Sequence, residues 1–61
     1  MLSSKAKEAW ERREAAFREL KMADEIYRSF PNRRNRAARG VKISRYHALQ
    51  KEFLSMIGGL Q

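Results

Sequence analysis

Apolar residues recur at helical spacing from near the start of the chain. Written as heptads, one position runs Ala6, Arg13, Leu20, Tyr27 and another runs Ala9, Ala16, Ala23, Phe30, with Trp10 and Phe17 beside the same stripe. Such a stripe marks an amphipathic helix packed along one face. Ser3 or Ser4 can cap its start, and Pro31 disfavours helical geometry at Phe30, so the spacing predicts a helix over about 4–29. Alanine at every seventh position lets a neighbouring helix approach closely, with Trp10 and Phe17 filling the sides. On the opposite face Glu8 can pair with Arg12, Glu14 with Arg18 and Lys21 with Glu25, each pair contributing about 0.2–0.5 kcal/mol.

Pro31-Asn32 reads as a turn, and Asn32 can cap a short second helix through about Arg39, with Gly40 as a left-handed stop. The alternative for residues 32–43 is one continuous basic loop. Ser44 is a credible cap for a third helix over about 45–57. Its stripe is Tyr46, Leu49, Phe53, Ile57 and Leu60, broadened by Leu54 and Met56, and Gly58-Gly59 ends it. The expected fold is all-α, one small domain over residues 1–61: a long N-terminal helix, a short basic helix or turn, and a C-terminal helix packed back as a hairpin or three-helix unit. There is no alternating strand pattern, internal repeat or low-complexity tract.

Length matching adds a further expectation. At 1.5 Å per residue the first helix would be about 39 Å long and the last about 20 Å, so the last cannot cover the first. The uncovered stripe points to a homodimer through the first helix, with Ala9, Trp10, Ala16, Phe17, Leu20 and Ala23 at the interface.

Composition narrows the chemistry. A chain of 61 residues buries only about 60% of its unfolded surface. It has no Cys and a single His, so neither a disulfide framework nor an ordinary zinc shell is available, and no metal or cofactor is expected. No apolar run approaches the roughly 18 residues of a membrane span. Met1-Leu2-Ser3-Ser4-Lys5 leads into polar residues rather than a signal-peptide core. The composition reads as that of a soluble, cytoplasmic protein.

Charge supplies the functional signal. The formal net charge is +7, and all of it lies in residues 28–45: Arg28, Arg33, Arg34, Arg36, Arg39, Lys42 and Arg45, with no acid among them. The flanking segments 1–27 and 46–61 each sum to zero. Arginine presents a planar fork of donors suited to phosphate. Asn32 and Asn35 add side-chain amides, and Ser44, Tyr46 and His47 extend the candidate nucleic-acid-binding surface.

The stretch Ala37-Ala38-Arg39-Gly40-Val41-Lys42-Ile43-Ser44-Arg45 resembles the middle of a helix-turn-helix motif. That resemblance implies that Ser44, Arg45, Tyr46 and His47 begin a recognition helix for the major groove. The sequence departs from the motif at Lys42, where the usual turn glycine would stand, and at Ala48, where a larger aliphatic residue would stand. Arg33-Arg34-Asn35-Arg36 is similar to arginine-rich RNA-binding peptides.

The expected function is that of a small regulatory protein gripping nucleic-acid phosphates, with DNA slightly favoured over RNA. The alternative is a protein-binding regulator, inhibitor or adaptor that docks on an acidic partner or completes a partner's helical bundle. Membrane-surface binding is disfavoured, because the basic block lacks a wide apolar face and the first helix has no net charge. The sequence holds no nucleophile–base set, Gly-rich phosphate loop or metal-ligand spacing, so catalysis is not expected. His47 reads as a partly exposed structural residue.

Overall fold

A computed structural model describes residues 3–58, and outside Ser3 and a three-residue bend all of them are helical. Helix α1 spans Ser4–Ser29 and helix α2 spans Arg33–Gly58. The two pack against each other as an antiparallel hairpin, a rod of 43 × 14 × 13 Å. Among these residues no helix is long and apolar enough to cross a membrane.

The first helix follows the sequence pattern. Ser3 is its cap, its hydroxyl oxygen accepting the Ala6 amide at 3.2 Å. Phe30 leaves helical geometry at φ −134°, ψ 79°, as a residue before proline does. The bend is short because its polar groups satisfy one another. The Phe30 carbonyl accepts both the Asn32 amide at 2.8 Å and the Asn35 side-chain Nδ2 at 2.9 Å. Asn32 Oδ1 accepts the Asn35 amide at 2.8 Å, capping α2, and the Asn32 carbonyl accepts the Arg36 amide at 3.0 Å.

The expected third helix does not exist separately. Residues 32–43 form neither an isolated short helix nor a loop, and α2 runs unbroken through Gly40 and Ser44. Gly40 has no positive φ, so it is not a left-handed stop, and Ser44 sits inside the helix rather than at its start. One interior glycine costs about 1 kcal/mol against alanine, less than uninterrupted packing along α1 returns. The seam positions Asn35, Arg39, Lys42, Tyr46, Leu49 and Phe53 keep one helical phase across the supposed break. Gly59 and Leu60, assigned to the end of the third helix and its stripe, lie outside the described residues.

Continuity also removes the length argument for a dimer. Both helices have 26 residues, so α2 covers α1 from end to end. Ala9 and Ala16 are buried against the chain's own second helix and are not available to another molecule. The buried apolar set is Ala6, Ala9, Ala16 and Phe53, a thin core in which alanines let the helices approach and one phenylalanine supplies the bulk. Phe53 meets Trp10 with ring centroids 5.2 Å apart, and Tyr46 meets Phe17 at 5.5 Å.

The middle of the seam is polar. Arg13 lies over the Trp10 ring at 4.7 Å, donates to Tyr46 Oη at 2.9 Å and to the Gln50 side-chain oxygen, and pairs with Glu14 at 2.7 Å. The ion pairs expected along the outer face of α1 are replaced by others. Arg12–Glu52, Lys42–Glu19 and Arg39–Asp24 cross the seam, at 3.0, 3.7 and 3.1 Å.

Gly40 tests the continuity of α2. A Cβ built there meets nothing within 4 Å, so Gly40→Ala is expected to stabilise the hairpin by about 0.5–1 kcal/mol. Thermal unfolding followed by circular dichroism reads this, and a loss of stability would restore the left-handed stop.

Candidate nucleic-acid interface

The seven basic residues of 28–45 divide into two groups. Arg28, Arg39 and Lys42 are tied to α1. Arg39 reaches Asp24 at 3.1 Å and lies over the Tyr27 ring at 4.4 Å, Arg28 pairs with the same Asp24 at 2.9 Å, and Lys42 pairs with Glu19 at 3.7 Å. Arg33, Arg34, Arg36 and Arg45 are exposed and form no ion pair with the described residues.

Three of these four occupy the first turns of α2, where no acid is present. They therefore stand on the positive end of the helix dipole. The amides of Arg33 and Arg34 have no intrahelical acceptor and point out of the same end. Arg28, exposed at the end of α1, lies just across the bend. Arg33, Arg34 and Arg36 thus concentrate at one end of the rod positive charge that α1 does not neutralise, the arrangement that attracts an anion. Arg45 lies three turns beyond Arg34 on the same stripe of α2, about 16 Å along the axis at 1.5 Å per residue. That spacing extends the cationic surface from the tip along one side of the rod.

The remaining candidates are placed differently. Asn32 and Asn35 hold the bend together through their side chains and are not free donors for a base edge. Tyr46 is a seam residue between Phe17 and Arg13, and His47 packs edge-on against it at 5.8 Å while remaining exposed. Ser44 is exposed on the outer face of α2. The helix-turn-helix expectation is overturned. No turn separates residues 37–39 from 44–47, so Ser44, Arg45, Tyr46 and His47 lie in the middle of α2 and do not begin a recognition helix. Lys42 and Ala48, where the sequence departs from that motif, were the signal that the match was incomplete.

Of the proposed interface residues on α1, Trp10 and Phe17 remain exposed along one edge, and Leu20 and Ala23 are half-buried beside the seam. Sequence reasoning missed Arg13 as the centre of the seam, although its place in the heptad series with Ala6 and Leu20 marked it. Among the described residues no three His, Asp or Glu side chains cluster as metal ligands. Comparison with protein-family models, curated proteins and solved structures finds no match to this chain.

Proposed function

We propose that this chain is a non-catalytic, cytoplasmic regulatory protein that binds nucleic acid through phosphate contacts at the bend of the hairpin. The observation that carries this reading is the set of exposed arginines, Arg33, Arg34, Arg36 and Arg45, without a carboxylate partner among the described residues. The ion-paired Arg28, Arg39 and Lys42 set the surrounding potential, and the free forks make the contacts. The slight preference for DNA rested on the helix-turn-helix resemblance and goes with it. The phosphate backbone common to DNA and RNA is the proposed ligand. As a homodimer the protein would present two such ends.

Affinity for a labelled duplex and a labelled RNA hairpin, measured over a range of salt, tests the reading. Four phosphate contacts correspond to a slope of log K against log salt of about −3.6 on duplex and about −2.8 on single strands. A flat salt response would overturn it. Binding to an acidic polypeptide together with no binding to either nucleic acid would favour the protein-binding alternative, docked on the same arginines.

A further inference from the structure

Phe30 is the aromatic residue that the hairpin does not use for packing. The heptad series Ala9, Ala16, Ala23 would carry it into the seam, but α1 ends at Ser29 and Phe30 leaves helical geometry. It is 67% exposed, more than any other large apolar residue described. The other five aromatics are engaged. Trp10 meets Phe53, Phe17 meets Tyr46, and the Arg39 guanidinium lies over Tyr27. Among the described residues Phe30 has neither a ring nor a cation against its face.

Its backbone, by contrast, is fixed by hydrogen bonds. The Phe30 amide donates to the Ile26 carbonyl at 2.8 Å, and the Phe30 carbonyl accepts the Asn32 amide and Asn35 Nδ2. The Asn35 bond ties Phe30 to the first turn of α2, which carries Arg33, Arg34 and Arg36. Pro31 stiffens the bend further, because its ring locks its own φ and keeps the preceding residue extended. An exposed ring therefore stands beside unpaired guanidinium groups on a backbone that a ligand need not order.

We infer that Phe30 stacks on an unpaired nucleobase, so that the bend takes single-stranded nucleic acid in preference to duplex. The step rests on the phosphate contacts proposed for the same arginines and adds the base to them. Single strands are held by this pairing of groups: cations follow the phosphates, and an aromatic ring takes the face of a base. In a duplex those faces are covered by neighbouring pairs, and the grooves present only base edges. In a loop or free strand the bases can turn outward onto a ring. Preference among the four bases should be weak, because every base has a π-face and the ring reads no edge. A lipid surface is the poorer fit. Insertion calls for a wide apolar face, and Phe30 is flanked by Ser29 and by Pro31-Asn32, with Arg28 and Arg33 beyond them.

Two strands of equal length separate base from phosphate: an oligothymidylate, and its abasic counterpart with the same phosphates and no bases. The full chain is expected to bind the thymidine strand about tenfold or more tightly than the abasic one. Both affinities should fall alike with salt, since a neutral ring releases no counterion. Phe30→Ala should erase the difference between the strands while leaving affinity for the abasic strand and for a duplex unchanged. Phe30→Trp should keep it, and Phe30→Leu, apolar but without a π-face, should lose most of it. Circular dichroism is expected to show the same helix content in all three variants, because the side chain lies outside the seam.

Equal affinity of the parent chain for the two strands overturns the stacking role, as does a preference that survives Phe30→Ala. Phe30-dependent binding to phosphatidylserine vesicles without binding to the thymidine strand overturns it as well. Salt-sensitive binding to both strands with no preference removes Phe30 and leaves the phosphate contacts standing. Binding to neither strand removes both.

Discussion

Phe53→Ala is expected to unfold most of the hairpin, costing about 3–5 kcal/mol. Phe53 is 8% exposed, and the other three buried apolar residues are alanines, so among the described residues it is the only bulky side chain that is buried. Its removal strips the Trp10 ring of the partner at 5.2 Å and opens a cavity in the seam between the helices. A chain this small draws no more than about 3–5 kcal/mol from such a core, so one substitution matches the whole reserve. Far-ultraviolet circular dichroism across a thermal or urea transition measures the loss. Leu54→Ala, one residue on but exposed, should stay within about 0.5 kcal/mol of the parent. Equal effects at the two positions would show that the seam does not run through Phe53.

The second large effect is on binding. Simultaneous replacement of Arg33, Arg34 and Arg36 by Ala is expected to lower nucleic-acid affinity by roughly 500-fold on duplex, or 100-fold on single strands, at about 0.1 M salt. Each lost phosphate contact removes about 0.9 or 0.7 of a unit from the salt slope, so the slope should also fall by about 2 to 3. Loss of slope separates lost contacts from lost fold. The fold itself is expected to survive, because these arginines stand at the positive end of the α2 dipole, where cations are unfavourable, and alanine is the best helix former. Retained helicity with lost affinity supports the phosphate reading. Undiminished affinity removes these three residues from it.

The elements legible in the sequence were those with apolar periodicity or a capping side chain. Ala6, Ala9, Ala16 and Tyr27 marked the inner face of α1, and Ser3, Pro31 and Asn32 fixed the helix ends closely. What was not legible was that Arg39 and Lys42 belong to the seam. Both are polar, and their inward position depends on Asp24 and Glu19 of the other helix, partners that no local pattern reveals. With those two positions read as solvent-facing, the apolar stripe of α2 seemed to start only at Tyr46, and Gly40 and Ser44 then looked like a boundary. The length mismatch and the helix-turn-helix resemblance both followed from that one misplacement.

The cationic block was equally visible in the sequence, but its division was not. Seven basic residues without an acid read as one surface, whereas Arg28 pairs with Asp24 within α1, and the hairpin brings Arg39 to the same Asp24 and Lys42 to Glu19. Asn32 and Asn35 looked like recognition amides because they sit among arginines. Their hydrogen bonds to the bend serve the turn between two helices. The smaller set that remains, Arg33, Arg34, Arg36 and Arg45, gives the functional proposal its address.

The most direct measurement is a titration of the isotope-labelled chain with an unlabelled RNA hairpin or DNA duplex, followed residue by residue by nuclear magnetic resonance. If the unpaired arginines hold phosphate, the backbone amides and Nε–H groups of Arg33, Arg34, Arg36 and Arg45 shift most, while Trp10 and Phe17 stay near their free positions. No shift at equimolar ligand, or shifts centred away from the bend arginines, would contradict the account.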